Sequence, residues 1–553
     1  MEELINITVG GLLEKNAKEY PDKLCLKFPT TGYERTWKEF DEETTRIAKG
    51  FLKMGIKKGE HVAIWANNCP EWLLTFFATA KIGAVLVTVN TSYKIFELEY
   101  LLRQSDTKCL VMIESLKDSN YYNIINELCP SLKDSKPGQL NDPMLPFLKD
   151  VVFIGEDNRP GMYNFKELYT MGDEVTDEDY YAVNSTLDVH DVVNMQYTSG
   201  TTGFPKGVML THFNIVNNGK SIGDRMKFTE EDKLCIPVPL FHCFGMVLAV
   251  MASVTHGTAM VPLDYNPVRV MAAIMNEQCT AVHGVPTMFI AMLEHPDFKK
   301  YTFPKLRTGI MAGSPCPVKV MQDVVDVMGA REITIVFGQT ESSPGCTQTT
   351  TDDSIELRVS TVGRVFPHVE AKIVDPETGK ECPPNVPGEF ITRGYHIMKG
   401  YYKMPEATAQ AIDKDGWLHT GDLATVDENG YYKITGRIKD MIIRGGENIY
   451  PKEIEEFLYT YPKVKDVQVI GVPSKQYGEE IMAWIILKEG ETATEDEIKE
   501  LVKTHMARHK APKYVKFTDS FPMTASGKIQ KFKMREAAIE EYNLKDDAAI
   551  ETA

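Results

Sequence analysis

The chain has 553 residues, too many for one small binding module at roughly 100–200 residues per domain. Its 43% hydrophobic and 25% charged residues match a globular chain and exclude global disorder. With 61 Lys+Arg against 78 Asp+Glu the net charge is −17, which argues against a broad nucleic-acid or anionic-membrane surface. An anionic ligand must therefore be held by local cations.

The opening segment, MEELINITVGGLLEKNAKEYPDK, has neither a basic stretch before an apolar core nor an Arg-rich transit pattern, so no targeting signal is expected. Ten scattered cysteines include no CxxC pair, which leaves zinc sites and redox dithiols unsupported and predicts reduced thiols in a cytoplasmic setting. From His61 onward short apolar strands alternate with helical patterns: HVAIWAN, EWLLTFFATAKIG, AVLVTVN, FELEYLLRQSD, CLVMIE. That alternation predicts βαβ units and buried parallel sheets. The polar, Pro/Gly-rich stretch from Leu132 to Arg159 reads as a surface excursion.

Asn194 to His212, NMQYTSGTTGFPKGVMLTH, is read as a loop between an apolar strand and a helix. Its glycines let backbone N–H groups approach an anion, its hydroxyls add donors and Lys206 adds charge, a composition that fits a triphosphate. It is not a Walker A loop, because Pro205 precedes Lys206 and Gly207 follows it. Gly219-Lys220-Ser221-Ile222-Gly223 matches a nucleophile-elbow spacing, but it follows a helical stretch and is read as chance. The apolar run MVLAVMASV (Met246 to Val254) is too short to span a bilayer and predicts a buried helix.

Farther on, the strand-and-helix phrase returns as AMVPL, PVRVMAAIMNEQ, AVHGV and as RTGIMAG, PVKVMQDVVDVMG, ITIVFG. FGQTESS (Phe337 to Ser343) follows an apolar strand, where ligands bind in open α/β sheets, and Glu341 there suits Mg²⁺. After about Asp352 short alternating strands broken by turns predict a small antiparallel barrel or ribbon. Asp422, after the tight turn in GWLHTGD, suits a ribose diol. A compact α+β pattern then begins near Gly436 to Asp440, and PMTASGKIQK places Lys528 in a Ser-Gly turn.

YTSGTTGFPKG, FGQTE, GWLHTGD, GRIKDMIIRGGENIYPKEIE and TASGKIQK together resemble the signature set of the adenylate-forming acyl-CoA synthetase superfamily, in order and over nearly the whole chain. PLFHCFGM, GIMAGSPCP, ESSPG and GRVFPHVEAKIV are most similar to its medium-chain acyl-CoA synthetases. The resemblance implies an α/β fold: a large N-terminal domain (1–436) of βαβ subdomains with a small antiparallel β subdomain, a hinge (437–440), and a mobile α+β C-terminal domain (441–553). It implies ATP, Mg²⁺ and coenzyme A, with a carboxylate converted first to an acyl-adenylate and then to a thioester.

Site roles follow from the same resemblance. Thr198, Ser199, Gly200, Thr201, Thr202, Gly203 and Lys206 would embrace the β- and γ-phosphates, and Gly313, Ser314 and Pro315 would form the adenine-side turn. Gly338, Gln339 and Thr340 would lie along the nucleotide, with Thr340 beside the α-phosphate and Glu341 on Mg²⁺. Asp422 and Arg437 would hold the ribose, and Lys528 would bridge the attacking carboxylate and the α-phosphate. Lys439 is the expected hinge, and acylation of Lys528 would silence adenylation. Arg444, Gly445, Gly446 and Glu447 would line the coenzyme channel. Phe241, His242, Cys243, Met246, Val247 and Val285 would line the acyl pocket, with His242 near the reacting carboxylate. Arg508, Lys510, Lys513 and Lys516 suit either the coenzyme's 3′-phosphate or a solvated basic face. The implied substrate is a medium-chain monocarboxylic acid; the alternatives are an aryl or cinnamate-type acid and, from another class, a silent acyl or nucleotide binder. No nucleic-acid partner or integral membrane segment is expected, and the oligomeric state stays open between monomer and homodimer.

Overall fold

The computed structural model describes residues 3–198, 205–313, 316–444, 447–506, 508–524 and 527–545. Among these, two large mixed sheets dominate. The nine-stranded sheet has six parallel strands in the order Glu332–Gly338, Thr308–Met311, Ala281–Gly284, Lys233–Ile236, Ala259–Pro262 and Leu24–Phe28, with antiparallel strands at both edges. The eight-stranded sheet runs in parallel from Val192–Thr198 through Val85–Thr88, His61–Trp65, Thr107–Ile113 and Asp150–Ile154 to Tyr163–Asn164. Helices cover the faces, as parallel sheets require. Pro70–Ile82 is the extreme case: Pro70 opens it, Gly83 ends it at φ +73°, and almost every residue between is buried.

An open four-stranded antiparallel sheet follows, built from Val369–Val374, Gly388–Gly394, Leu418–Val426 and Tyr432–Arg437. Beyond the short turn Ile438–Asp440 comes a five-stranded sheet centred on the long hairpin Val464–Ser474 and Gly478–Leu487, flanked by the helices Pro451–Tyr459, Glu495–His505 and Lys531–Glu541. Its cores, around Ile442, Val467, Ile485 and Val502 and around Val472, Trp484 and Met534, are separate from the cores of the first 432 residues. No helix among the described residues is long and apolar enough to cross a membrane. All ten cysteines are free thiols.

Two expectations are corrected. The stretch from Leu132 to Arg159 is more than a surface excursion: Asp150–Ile154 is a strand of the eight-stranded sheet, and Leu132, Leu140, Leu145 and Leu148 are buried. Widely spaced leucines in a polar run give no periodic signal, yet each plugs the same core. The segment after the expected phosphate loop is a strand, not a helix. Lys206–Thr211 pairs antiparallel with Val192–Thr198, and the helix starts only at His212, capped by the Thr211 hydroxyl. The strand Lys206–Thr211 therefore stands between the expected loop and the first helix.

The Met246–Val254 run is a buried helix as expected, with π geometry over Phe244–Met251 before an α-helical end. Gly219 and Gly223 lie inside the helix His212–Met226, where a Cβ would meet the Met251 backbone and the His256 ring. Ser221 is buried there and shares a hydrogen bond with the Tyr395 hydroxyl. The nucleophile-elbow spacing is thus a helix-packing pattern.

Candidate active site

Four adjacent parallel strands of the nine-stranded sheet deliver the first set of residues from their carboxyl ends, where α/β sheets bind ligands. Gln339, Thr340 and Glu341 follow Glu332–Gly338; Gly313 follows Thr308–Met311; Val285 follows Ala281–Gly284; and Phe241 to Val247 follow Lys233–Ile236. The turn after Gly338 is tight: a Cβ on Gly338 would stand 1.7 Å from the Pro344 carbonyl oxygen. Gly313 has φ +89° and lies with its Cβ position 3.0 Å from Val285. Ser314 and Pro315 lie outside the described residues.

The eight-stranded sheet contributes the hairpin neck, where Thr198 faces Lys206. Ser199, Gly200, Thr201, Thr202 and Gly203 fall outside the described residues. Lys206 Nζ lies over the Tyr401 ring, 4.9 Å from its centroid. The Tyr401 hydroxyl donates to Glu341 Oε1 at 2.7 Å.

The four-stranded sheet adds Asp422 and Arg437, and the C-terminal domain adds Lys528. Lys528 sits in a turn closed by hydrogen bonds between Thr524 and Lys528, with Gly527 at φ +80°. The turn docks on the acyl wall: a Cβ on Gly527 would come within 2.9 Å of Val285. Lys528 is exposed, but it opens into a cleft crowded by charge. The Arg437 charge and desolvation, with Lys439 adding to them, pull its ammonium down to about pKa 8 against the opposing pull of Asp422 and Glu341.

The acyl segment is almost wholly buried. Phe241, Cys243, Met246, Val247 and Val285 belong to the core, and Gln196 donates to the Met246 sulfur at 3.8 Å. His242 Nδ1 accepts from the Phe244 N–H at 3.2 Å. Burial, and then the Lys528 charge, lower His242 to about pKa 4, so the imidazole is neutral at pH 7. The Cys243 sulfur bridges this segment to Thr340, 3.6 Å from its hydroxyl, and burial pushes its thiol up to about 12.

Of the residues expected along the coenzyme channel, only Arg444 has a described side chain, and it is held within its own domain. Arg444 is tied to Glu480 at 2.6 and 3.3 Å and stacks on Tyr477, all within the C-terminal sheet. Gly445, Gly446 and the Glu447 side chain lie outside the described residues. Of the four basic candidates, Lys510 pairs with Glu453, Lys516 with Glu541, and Lys513 stacks on Tyr514, which favours the solvated-face reading for these three. Lys439 lies in the turn Ile438–Asp440 between the two sets of sheets, its pKa lowered by burial and by Arg437.

The arrangement fits a magnesium nucleotide. Asp422 Oδ2 is buried with no partner among the described residues, so a ribose hydroxyl would satisfy it. Among the described residues no three His, Cys, Asp or Glu side chains gather to hold a metal. A Mg²⁺ at Glu341 would then take most of its oxygens from phosphate and water, its usual manner beside nucleotides. Sequence reasoning missed Tyr401, and it found the Ser-Gly turn of Gly527 without its contact with Val285. Tyr401 is sixty positions from Glu341 along the chain, so no local spacing betrays it.

Residues 13–402 match the AMP-binding enzyme family and residues 453–528 its C-terminal domain. The putative acyl-CoA synthetase YngI of Bacillus subtilis is 55% identical over 98% of this chain and 99% of its own length. The mitochondrial medium-chain acyl-CoA ligase ACSF2 of Bos taurus is 41% identical over 98% of this chain and 89% of its own. A crystal structure of the anthranilate CoA ligase AuaEII with anthranoyl-AMP superposes with TM-score 0.85 at 26% identity, covering 98% of this chain and all of that one. The chain belongs to the AMP-binding enzymes of the adenylate-forming acyl-CoA synthetase superfamily.

Proposed function

We propose that the chain is an AMP-forming carboxylate–CoA ligase, acting on a medium-chain fatty acid with ATP, Mg²⁺ and coenzyme A as the other reactants. The observation that carries this reading is the convergence of Lys528, Arg437, Asp422, Glu341, Thr340 and neutral His242 on one cleft beside a buried apolar segment.

Asp422 and Arg437 take the ribose hydroxyls, and Thr198, the glycine-rich loop and Lys206 take the β- and γ-phosphates. Glu341 supplies the protein oxygen for Mg²⁺, which neutralises phosphate charge when bound. The acid lies with its chain along Phe241, Met246, Val247 and Val285. A carboxylate oxygen attacks the α-phosphorus, the bond to the bridging oxygen of pyrophosphate breaks, and Lys528 compensates charge on both the carboxylate and the α-phosphoryl oxygens. Thr340 donates to that phosphoryl group. Neutral His242 adds no charge of its own and lines the carboxylate end of the pocket. In the second step the C-terminal domain turns about Lys439, the Arg444–Glu447 edge replaces Lys528, and the coenzyme thiol attacks the acyl carbon to release AMP. A cytoplasmic setting belongs to the same reading and is supported by the ten free thiols.

The likeness to an anthranilate CoA ligase favours an aryl acid as the second reading. The test is AMP release with Mg-ATP and coenzyme A across straight-chain acids from acetate to palmitate, branched acids, benzoate and cinnamate. Coenzyme-dependent turnover peaking at a medium chain supports the proposal, and a peak at an aromatic acid moves it to the second reading. AMP formation that ignores coenzyme A, or nucleotide binding without turnover, overturns it.

A further inference from the structure

Tyr401 occupies a junction that no motif marks. The short strand Gly400–Tyr401 pairs antiparallel with Lys206–Thr211, with Tyr401 opposite Val208. The Tyr402 N–H donates to the Gly207 carbonyl at 2.8 Å, and the Met398 N–H donates to the Glu341 carbonyl at 2.9 Å. The segment 398–402 therefore clamps the backbone of the phosphate hairpin to that of the Glu341 turn. The Tyr401 N–H is itself fixed by the Thr408 hydroxyl at 2.9 Å.

The side chain repeats the link at the level of charge. Its hydroxyl donates to Glu341 Oε1 at 2.7 Å, and its ring face carries the Lys206 ammonium. The residue is only 8% exposed. No ion pair joins Lys206 to Glu341, although one charge meets the ring face and the other the hydroxyl of the same side chain.

We propose that Tyr401 is a positioning residue that holds the Glu341 carboxylate and the Lys206 ammonium apart in one fixed arrangement, ready to receive a divalent cation and a polyphosphate together. The inference rests on the reading of Glu341 as the metal carboxylate and Lys206 as a phosphate cation. The hydroxyl occupies Oε1 and aims the carboxylate, while the ring gives Lys206 a partner that a phosphate can outbid. Without the ring the two charges can close into a direct pair that competes with both ligands.

The experiment compares the full-length protein with Tyr401→Phe and Tyr401→Leu, using ATP alone and no acid or coenzyme. Calorimetry gives ATP affinity in EDTA and in Mg²⁺, and electron paramagnetic resonance gives Mn²⁺ binding in the presence of ATP. Tyr401→Phe keeps the ring, so its metal-free ATP affinity should stay within about twofold of wild type. Its gain in ATP affinity from Mg²⁺, and its Mn²⁺ affinity, should fall about tenfold, the usual effect of losing a partner behind a metal ligand. Tyr401→Leu should weaken metal-free ATP binding as well. Wild-type metal dependence in Tyr401→Phe overturns the proposal. So does equal loss of ATP affinity with and without metal in Tyr401→Phe, which marks a packing role. Should Tyr401→Leu fail to fold, the isosteric Phe variant decides alone. Because these readouts need no acyl substrate, they stand apart from failure of the ligase reading. A wild-type protein whose ATP binding ignores Mg²⁺ overturns the Glu341 assignment and this inference with it.

Discussion

Asp422 and Arg437 face each other across an antiparallel strand pair, and Arg437 Nε donates to Asp422 Oδ1 at 2.8 Å. Burial nonetheless outweighs the attraction, and the Asp422 pKa is raised, while the Asp422 charge raises that of Arg437. The reason is visible in the second oxygen, which is buried with no partner among the described residues. Half of the carboxylate is neutralised and half waits for a donor.

That open oxygen makes a specific prediction about sugar recognition. Asp422→Asn should weaken ATP binding by about 1.5–3 kcal/mol, the value of a hydrogen bond to a charged group, or one to two orders of magnitude in Kd. The discriminating measurement uses 2′,3′-dideoxy-ATP. The wild-type protein should prefer ATP strongly, and the variant should bind both nucleotides alike. Retained discrimination in the variant would assign the diol to another residue.

Lys528 predicts a pH dependence with a defined sign. Its pKa in the free protein is lowered to about 8, chiefly by the Arg437 charge and by desolvation, with Lys439 adding and with Asp422 and Glu341 opposing. The protonated, cationic form is the one that stabilises the transferring phosphoryl group. Adenylation measured as kcat/KM for ATP should therefore be flat below pH 8 and fall as pH rises through that value. Bound triphosphate adds negative charge beside the ammonium and raises its pKa, so the fall in kcat should come at higher pH. Lys528→Arg should remove the alkaline limb. Lys528→Ala should lose ~10²–10³ in adenylation while thioester formation from supplied acyl-AMP persists. An unchanged alkaline limb in the Arg variant would exclude Lys528 as its source.

Gly527 is constrained twice, by φ +80° and by Val285 within 2.9 Å of its Cβ position. A left-handed conformation costs an L-residue about 1 kcal/mol or more, and here the added methyl also meets a buried wall. Gly527→Ala should slow adenylation by about tenfold, because the Lys528 turn no longer seats on the acyl wall. Thioester formation from acyl-AMP, in which that turn is withdrawn, should be spared. Measuring the two half-reactions separately checks this, and equal losses in both would point to misfolding of the C-terminal sheet.

Much of this site is written in contiguous motifs, and those were legible. The strand-then-turn signals place Thr340, Glu341 and Gly313 at sheet ends, and the tight turn before Asp422 presents its carboxylate. The chain hides what depends on distant pairing. Lys206–Thr211 follows Pro205 and has Gly207 as its second residue, which look like breakers, yet the segment pairs with Val192–Thr198 because Val208 and Leu210 fill the core. The strand Asp150–Ile154 is hidden by its polar neighbours, and its parallel partners at Cys109–Ile113 and Tyr163–Asn164 make it a strand. Tyr401 is unremarkable in sequence, and Gly527 reads only as a turn glycine, because their contacts are with Glu341, Lys206 and Val285, each far away along the chain.

The orientation of the C-terminal domain supplies the last prediction. Lys528 reaches the cleft because that domain is docked, and the polar contacts across the dock, beside the Gly527–Val285 contact, include Lys465 with Glu294 and Lys452 Nζ donating to the Ile434 carbonyl at 3.0 Å. The Lys465–Glu294 pair is over a third exposed on both sides, so solvent and salt screen it. Such a pair contributes about 0–1 kcal/mol, which limits the shift in a two-orientation equilibrium to roughly fivefold. Glu294→Ala should therefore lower adenylation by less than about fivefold and leave thioester formation equal or faster, and high salt should produce the same bias in the wild type. Lys439→Pro acts on rotation instead of on the dock, because a ring at that position stiffens the turn Ile438–Asp440. It should spare adenylation and slow thioester formation. If both variants shift the two half-reactions in the same direction, the dock and the turn are not separate controls, and a swing about Lys439 is the wrong description of the second step.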